Sequence, residues 1–327
     1  MVAKPDRNLA LELVRVTEVA AIAAARHQGR GDKESVDQAA VDAMRQVLST
    51  IEMDGVVVIG EGEKDEAPML YNGERIGNGE PPMVDVAVDP VDGTRLTARG
   101  MPGALAVIAL APRGTMYAPG SLVYMDKIAV GPVAAGRVDI EAPVAHNVAQ
   151  VAKAYDKPVS DVTAIILDRP RNDPYVQAVR DAGARIALIG DGDISGAIAT
   201  AKDDSGVDIL FGIGGSPEAV TSACAMAALG GEIQAKLWPR DDSERIYAKE
   251  EGLDLTQVLT TRDLVDSDNT FFAATGVTSG TLLEGVRFGS HRVATNSLVL
   301  RSKTGTVRFI DAVHRVEQLR DLSAFEL

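Results

Sequence analysis

The chain predicts an α+β / α/β fold in two parts, and three observations carry that reading. Two stretches of helical periodicity stand before a set of buried strands. After them, strand and helix patterns alternate through the second half. The change of rhythm falls around Lys157-Pro158. We therefore expect an N-terminal α+β domain over residues 1–158 and a C-terminal α/β domain over 159–327. A chain of 327 residues can bury a core of this size.

The elements follow in order. Leu9, Leu13, Val16, Ala20 and Ala24 recur at helical spacing, with Asp6 placed to cap the start. Gly29-Arg30-Gly31-Asp32-Lys33 breaks that helix, and a second one shows Val41, Met44, Leu48 and Ile51 on one face. Val56-Val57-Val58-Ile59, Val86-Ala87-Val88, residues 104–110 and Lys127-Ile128-Ala129-Val130 read as strands. In the second half, strands at 164–167, 186–189 and 207–211 alternate with helices at 175–181, 194–201 and 217–229. That alternation implies a parallel or mixed sheet with crossover helices. Residues 297–313 read as a hairpin turning at Lys303-Thr304-Gly305.

Composition excludes several classes of function. The net charge is −14, with no basic tract to offset it, which argues against nucleic acid or an anionic membrane as partner. Apolar residues make up 46 % of the chain, a globular rather than disordered proportion. The single cysteine, Cys224, sits in an apolar helical stretch and reads as a core residue. It leaves no intrachain disulfide and no multi-cysteine metal site. Glu12, Arg15 and Glu18 interrupt the first apolar stretch, so it does not read as a signal-peptide core. The longest uncharged run, residues 100–112, is too short to span a bilayer. A soluble, cytoplasmic protein is expected.

The chemistry is concentrated where strands end. Asp89-Pro90-Val91-Asp92-Gly93-Thr94 follows the strand at 86–88, with Pro90 expected to stop the ladder and Gly93 to permit a tight turn. Two carboxylates and a hydroxyl on rigid backbone suit a divalent cation and an attacking water. An Asp-rich surface turn is the ordinary alternative. Glu61 leaves the strand at 56–59 between two glycines, Asp37 lies early in the second helix, and Glu218 lies in the first turn after Ser216-Pro217. Ser216 is expected as N-cap and Pro217 as first helical residue. Taken singly, these are ordinary turn and helix-terminus acids. Together they are an all-oxygen ligand set, which favours Mg²⁺ or Mn²⁺ over zinc. His27, His146, His291 and His314 show no ligand spacing.

Other candidates lie in the second half. The glycine turn at 212–215 fails as a dinucleotide motif because Pro217 stands where the third glycine belongs. It can still offer backbone N–H groups to a phosphate. Asp191-Gly192-Asp193 imitates a calcium loop, but Lys202 occupies its twelfth position. Arg169-Pro170-Arg171 follows a strand and suits a phosphate or carboxylate, with surface ion pairing as the alternative. Tyr124 and Lys127 read as strand residues that gain a role only if they converge on one cleft.

These motifs, in this order, resemble the class II fructose-1,6-bisphosphatases of bacteria, within the superfamily of lithium-sensitive, metal-dependent sugar phosphatases. The resemblance runs from about Arg7 to His314. It rests on Gly29-Arg30-Gly31-Asp32-Lys33, Val58-Ile59-Gly60-Glu61-Gly62-Glu63, Asp65-Glu66-Ala67-Pro68-Met69-Leu70-Tyr71, the hexapeptide at Asp89, Asp168-Arg169-Pro170-Arg171, Asp191-Gly192-Asp193, the turn leading to Glu218, and Ala274-Thr275-Gly276-Val277-Thr278. It implies a layered αβαβα fold with the active site between two domains. It implies metal ligation by Asp37, Glu61, Asp89, Asp92 and Glu218, with Mn²⁺ or Mg²⁺ as cofactor. Thr94, Asp37 and Glu61 would be catalytic, Thr94 holding the attacking water and Asp37 orienting Thr94. Asp92, Gly93, Thr94, Tyr124, Arg169, Pro170, Arg171, Asp191, Gly192, Asp193 and Gly215 would bind substrate. The implied reaction is hydrolysis of the C1 phosphate of fructose 1,6-bisphosphate, a step of gluconeogenesis, by a homo-oligomer acting on a small sugar bisphosphate. Sedoheptulose-1,7-bisphosphatase or inositol-monophosphatase-like activity is the neighbouring alternative, and a non-catalytic sugar-phosphate sensor is the distant one. Asp92 stands where some members carry Glu, Asn172 where a His often follows, and Ser279 where an Asp is common.

Overall fold

Two helices with apolar faces lead the chain onto its first sheet. The computed structural model describes residues 8–60, 70–315 and 317–318. Helix α1 (Ala10–Ala25) buries Leu13, Val16, Ala20 and Ala24, as their spacing predicts. Its first amide donates to Asn8 Oδ1 at 3.1 Å, and the expected cap Asp6 lies outside the described residues. Helix α2 (Lys33–Leu48) begins after Asp32, whose carboxylate accepts from the Ser35 amide, and buries Val41, Met44 and Leu48.

The remaining elements are, in chain order, β1 (Asp54–Ile59), β2 (Arg75–Ile76), β3 (Met83–Asp92), α3 (Thr94–Arg99), β4 (Leu105–Pro112) and β5 (Tyr124–Val130). Next come α4 (Val144–Ala154), β6 (Thr163–Leu167), α5 (Asp173–Asp181), β7 (Arg185–Ile189), α6 (Asp193–Ala199), β8 (Ile209–Gly215) and α7 (Ser216–Leu229). The described chain closes with β9 (Glu232–Leu237), α8 (Asp242–Glu250), β10 (Leu259–Thr260), α9 (Thr261–Leu264), β11 (Phe271–Gly276), β12 (Arg287–Phe288), β13 (Arg292–Arg301) and β14 (Thr306–Arg315).

Among the described residues the strands form two mixed sheets. One runs β12-β13-β11-β4-β3-β1-β2 with β14 paired to β13; the other runs β10-β9-β5-β8-β6-β7. The strand periodicity explains how they stack. Val84, Val86 and Val88 of β3 join α1 and α2 in one apolar cluster, whereas Ala87 joins a second cluster on the opposite face. That second cluster holds α6 and α7 between the sheets, with Met125, Leu210 and Ala235 from the far side. Ile128, Ile166 and Phe211 face outward from the second sheet onto α4 and α5. The result is the αβαβα layering expected for this chain. Alanines at 219, 223, 225 and 228 line α7, and their small side chains let one helix approach two sheets at once. Cys224 is buried there as a core residue.

The sheets do not divide where the sequence rhythm changes. Strand β5, before residue 158, belongs to the second sheet, while β11, β13 and β14 return to the first. Periodicity reports an element's type and is blind to its partner, so this return was not readable. The tail hairpin is present, with β13 and β14 paired from Arg301↔Thr306 to Arg292↔Arg315.

Two local expectations are corrected. Pro90 does not end its strand: β3 continues to Asp92, with a register shift against β4 between Asp89 and Asp92. Three steps along β3 match two along β4, and such a bulge accommodates a residue that cannot donate to the ladder. Ser216 is not the cap of α7 but its first residue, with Gly215 as N-cap; its hydroxyl donates instead to Leu122 O at 2.6 Å.

Candidate active site

The bulged end of β3, the start of α3, the turn before α6 and the turn from β8 into α7 open onto one cleft. Its first part, about 320 Å³, is lined by Asp89, Asp92, Gly93, Thr94, Arg95, Asp191 and Glu218 among others. Its second part, about 410 Å³, shares Asp92, Arg95, Asp191 and Glu218 and adds Tyr124, Arg169, Arg171, Asp193, Gly215 and Arg240. The shared residues make the two parts one continuous site with an acidic end and an arginine-rich end.

At the acidic end, Gly93 supplies the turn between β3 and α3 at φ +96°, and a Cβ there would press on Leu96 and Ala104. Thr94 follows as the first residue of α3. Its Oγ1 donates to Asp37 Oδ1 at 2.6 Å and lies 3.0 Å from Val91 O. Burial pushes the Asp37 carboxyl up to about 6, against the Thr94 hydrogen bond and Lys33. Asp89 Oδ1 accepts from the Val91 amide at 3.0 Å, which fixes the carboxylate on the bulge.

Asp92 and Glu218 are the most perturbed pair. Both carboxyls are raised, first by burial and then by neighbouring acids: Asp193 and Glu218 for Asp92, and Asp193 for Glu218. Asp92 Oδ2 and Glu218 Oε2 are buried without a hydrogen-bond partner. Buried carboxylate oxygens without donors are costly unless a cation or proton reaches them. That chemistry fits a hard divalent ion. Among the described residues, no three His, Cys, Asp or Glu side chains gather closely enough to enclose an ion alone. Glu61, the further acid the sequence points to, lies outside the described residues.

Behind this wall lies a buried cation. Lys127, 3 % exposed, pairs with the Asp193 carboxylate and donates to Gly215 O at 3.0 Å. It ties the start of α6 to the turn that begins α7. A Cβ on Gly215 would collide with the Glu218 carboxylate, so any larger residue here must push that carboxylate aside.

At the far end, Arg169 Nη2 donates to Asp191 Oδ1 at 3.1 Å, and Arg169 Nη1 donates to Asp168 O at 2.9 Å. Arg171 stacks over the Tyr124 ring at 4.4 Å and donates from Nε to Ile213 O at 2.9 Å. Asn172 holds this turn in place: it is fully buried, donates to Leu167 O and Ile213 O, and accepts from the Ile213 amide at 2.7 Å.

Acids at one end of the cleft and guanidiniums at the other could hold a divalent ion and an anion. Residues 7–314 match the family described as bacterial fructose-1,6-bisphosphatase, glpX-encoded. The chain is 44 % identical over 326 residues to fructose-1,6-bisphosphatase 1 class 2 of Escherichia coli strain K12, covering 95 % of this chain and 96 % of that one. The same figures hold for fructose-1,6-bisphosphatase class 2 of Escherichia coli O6:H1 strain CFT073 and of Shigella flexneri. The chain belongs to the glpX-encoded bacterial fructose-1,6-bisphosphatase family.

Within this family member, most of the residues singled out from sequence converge. Asp89, Asp92, Gly93, Thr94, Tyr124, Arg169, Arg171, Asp191, Asp193, Gly215 and Glu218 line the cleft. Asp37 stands behind Thr94. Gly192 forms the αL turn before α6, where a Cβ would lie 3.8 Å from Asp92 Oδ2. Pro170 starts a single 3₁₀ turn and is not among the lining residues. Sequence reasoning missed Arg95 and Arg240; Lys127, left as a strand residue that convergence could promote, pairs with Asp193 behind the cleft wall. Arg95 adjoins the acidic hexapeptide, a signal that was available. Arg240 carried none, because an arginine after a proline is ordinary until the fold places it.

Proposed function

We propose that this protein hydrolyses the C1 phosphate of fructose 1,6-bisphosphate, giving fructose 6-phosphate and inorganic phosphate. The observation that carries the reading is the two-ended cleft: buried, donorless carboxylate oxygens beside the Thr94–Asp37 pair at one end, guanidiniums at the other. Asp89, Asp92 and Glu218, with Asp37 and Glu61, would hold Mg²⁺ or Mn²⁺, which supplies charge neutralisation and an acidified water when bound. Thr94 donates its hydroxyl proton to Asp37, so its lone pairs remain free to accept from a water at the acidic end. Asp37 thereby fixes the rotamer of Thr94 and takes up positive charge developing on it. Arg171 and Tyr124 position the sugar from the other end, and Asn172 keeps Arg171 from drifting.

A bisphosphate is favoured over inositol monophosphate because an arginine-lined region without a second phosphate would have no purpose in hydrolysis. A sensor reading is disfavoured because binding alone needs no Thr94–Asp37 pair. The experiment is a phosphate-release panel with fructose 1,6-bisphosphate, sedoheptulose 1,7-bisphosphate and inositol monophosphate, each with Mg²⁺ and with Mn²⁺. Faster release from sedoheptulose bisphosphate would move the assignment to that substrate, and binding without release would move it to a sensor. No helix of the described residues is long and apolar enough to cross a membrane, which is compatible with a cytoplasmic site of action. Self-association fits the same reading, since edge strand β14 leaves Phe309 and Val313 more than half exposed.

A further inference from the structure

We propose that Arg95 binds the second phosphate of the sugar bisphosphate and so helps decide that the enzyme takes a bisphosphate. The inference rests on the phosphatase reading above and extends it to a residue on the opposite wall of the cleft.

Arg95 occupies the first turn of α3, directly after Thr94, and is exposed. It lines both parts of the cleft, so its side chain lies at their junction. The other guanidiniums of the cleft are already engaged. Arg169 pairs with Asp191 at 3.1 Å, and Arg240 donates to Glu244 at 2.6 Å. Arg171 has no carboxylate partner among the described residues, but its Nε is held by Ile213 O and its face by Tyr124. Arg95 has neither an ion pair nor a hydrogen bond among the described residues. Burial lifts the Asp191 carboxyl, and the guanidiniums of Arg169 and then Arg95 pull against that lift. Arg95 therefore faces Asp191, which like it lines both parts of the cleft.

The chemistry follows from charge. In a chain of net charge −14, a free cation between two acid-bearing turns is placed for an anion. At the metal-holding end, divalent ions neutralise the phosphate being cleaved. A second phosphate has no such help and depends on guanidiniums, whose planar forks match its oxygens. Arg171 approaches from the turn after β6 in the second sheet, and Arg95 from α3 beside the first. A phosphate held by both would bridge the two sheet layers. A monophosphate would leave Arg95 idle.

The test compares wild type with Arg95→Gln and Arg95→Lys, using fructose 1,6-bisphosphate and fructose 1-phosphate as paired substrates with Mn²⁺. Arg95→Gln should raise KM for the bisphosphate by roughly 10- to 100-fold, the range for one lost charge-assisted hydrogen-bonding partner. Its kcat should stay within about threefold, and KM for the monophosphate should not change. Arg95→Lys should fall between, because it keeps charge and loses the fork. Equal loss on both substrates, a loss confined to kcat, or no change overturns the proposal. Calorimetric binding of fructose 1,6-bisphosphate to each protein separates this from a failure of the phosphatase reading. If wild type binds but does not turn over, that reading falls while a weaker affinity of Arg95→Gln still supports the Arg95 assignment. If wild type does not bind the bisphosphate, both fall.

Discussion

Asp89, Thr94 and Glu18 show how single side chains here act through what surrounds them. Asp89 is held by the Val91 amide on a bulged strand end, a hydrogen bond that the Oδ1 of an asparagine can also accept. Asp89→Asn is expected to leave the melting transition near wild type and to lower phosphate release by about 10²-fold or more, the scale for removing a preorganised electrostatic partner. Wild-type turnover in that variant would remove Asp89 from the site. Glu18 makes a different case, far from the cleft. Burial pushes its carboxyl up to about 7 from an ordinary 4.5, against a hydrogen bond from Thr295 and the charge of Arg15. A carboxyl whose folded value lies above its unfolded one contributes stability below the unfolded value and loses it as pH rises through the folded value. Replacing it with an uncharged isostere should remove that pH dependence. Glu18→Gln should therefore gain on wild type between pH 5 and pH 8 by on the order of 1–3 kcal/mol, read from urea melts at the two pH values. Parallel pH dependences would show that Glu18 is not charged at the cost proposed. Neither Asp89's tether nor Glu18's burial was legible in sequence: the first depends on a bulge, and the second on Thr295, 277 positions away.

At the scale of elements, the site is built from four chain turns that two sheets bring to one opening. The turn from β8 into α7 is the tightest of these. The Gly215 carbonyl accepts a hydrogen bond from Lys127, and a Cβ on Gly215 would run into the Glu218 carboxylate. Gly215→Ala is expected to displace Glu218 and reduce activity by roughly 10²-fold, since small misplacements at a reacting centre cost that much. The helix behind it is packed by its alanines, so its melting temperature should fall by only a few degrees, on the order expected for about 1 kcal/mol. A variant with normal turnover would mean that Glu218 does not need its present position. Helices α1, α2, α5, α6 and α7 and the strands beneath them were readable, because apolar spacing is a local property. The bulge at Pro90 and the displaced cap at Ser216 were not, since both are settled by contacts with β4 and with Leu122.

Across the whole molecule, the carboxylates of the cleft set the balance between stability and function. Asp92 and Glu218 are buried close to Asp193, with the Lys127 ammonium as a buried countercharge beside them. Without a further cation this arrangement costs stability at neutral pH. Mn²⁺ at about a hundredfold its Kd should therefore stabilise the fold by about 2.7 kcal/mol, seen as a higher melting temperature that a chelator reverses. Identical melts with metal and with chelator would mean that the acids do not hold an ion. The sequence by itself determined the element types, the acidic character, the ordered motifs and hence the family. Those are properties of residue type and spacing, which local physics can read. Only the tertiary structure decided that β11, β13 and β14 return to the first sheet, that α7 lies between two sheets, and that Arg95 and Arg240 line the cleft with Lys127 buried behind it. The reason is that partner choice and burial depend on groups far apart in the chain, and no single residue carries a mark of its distant neighbours.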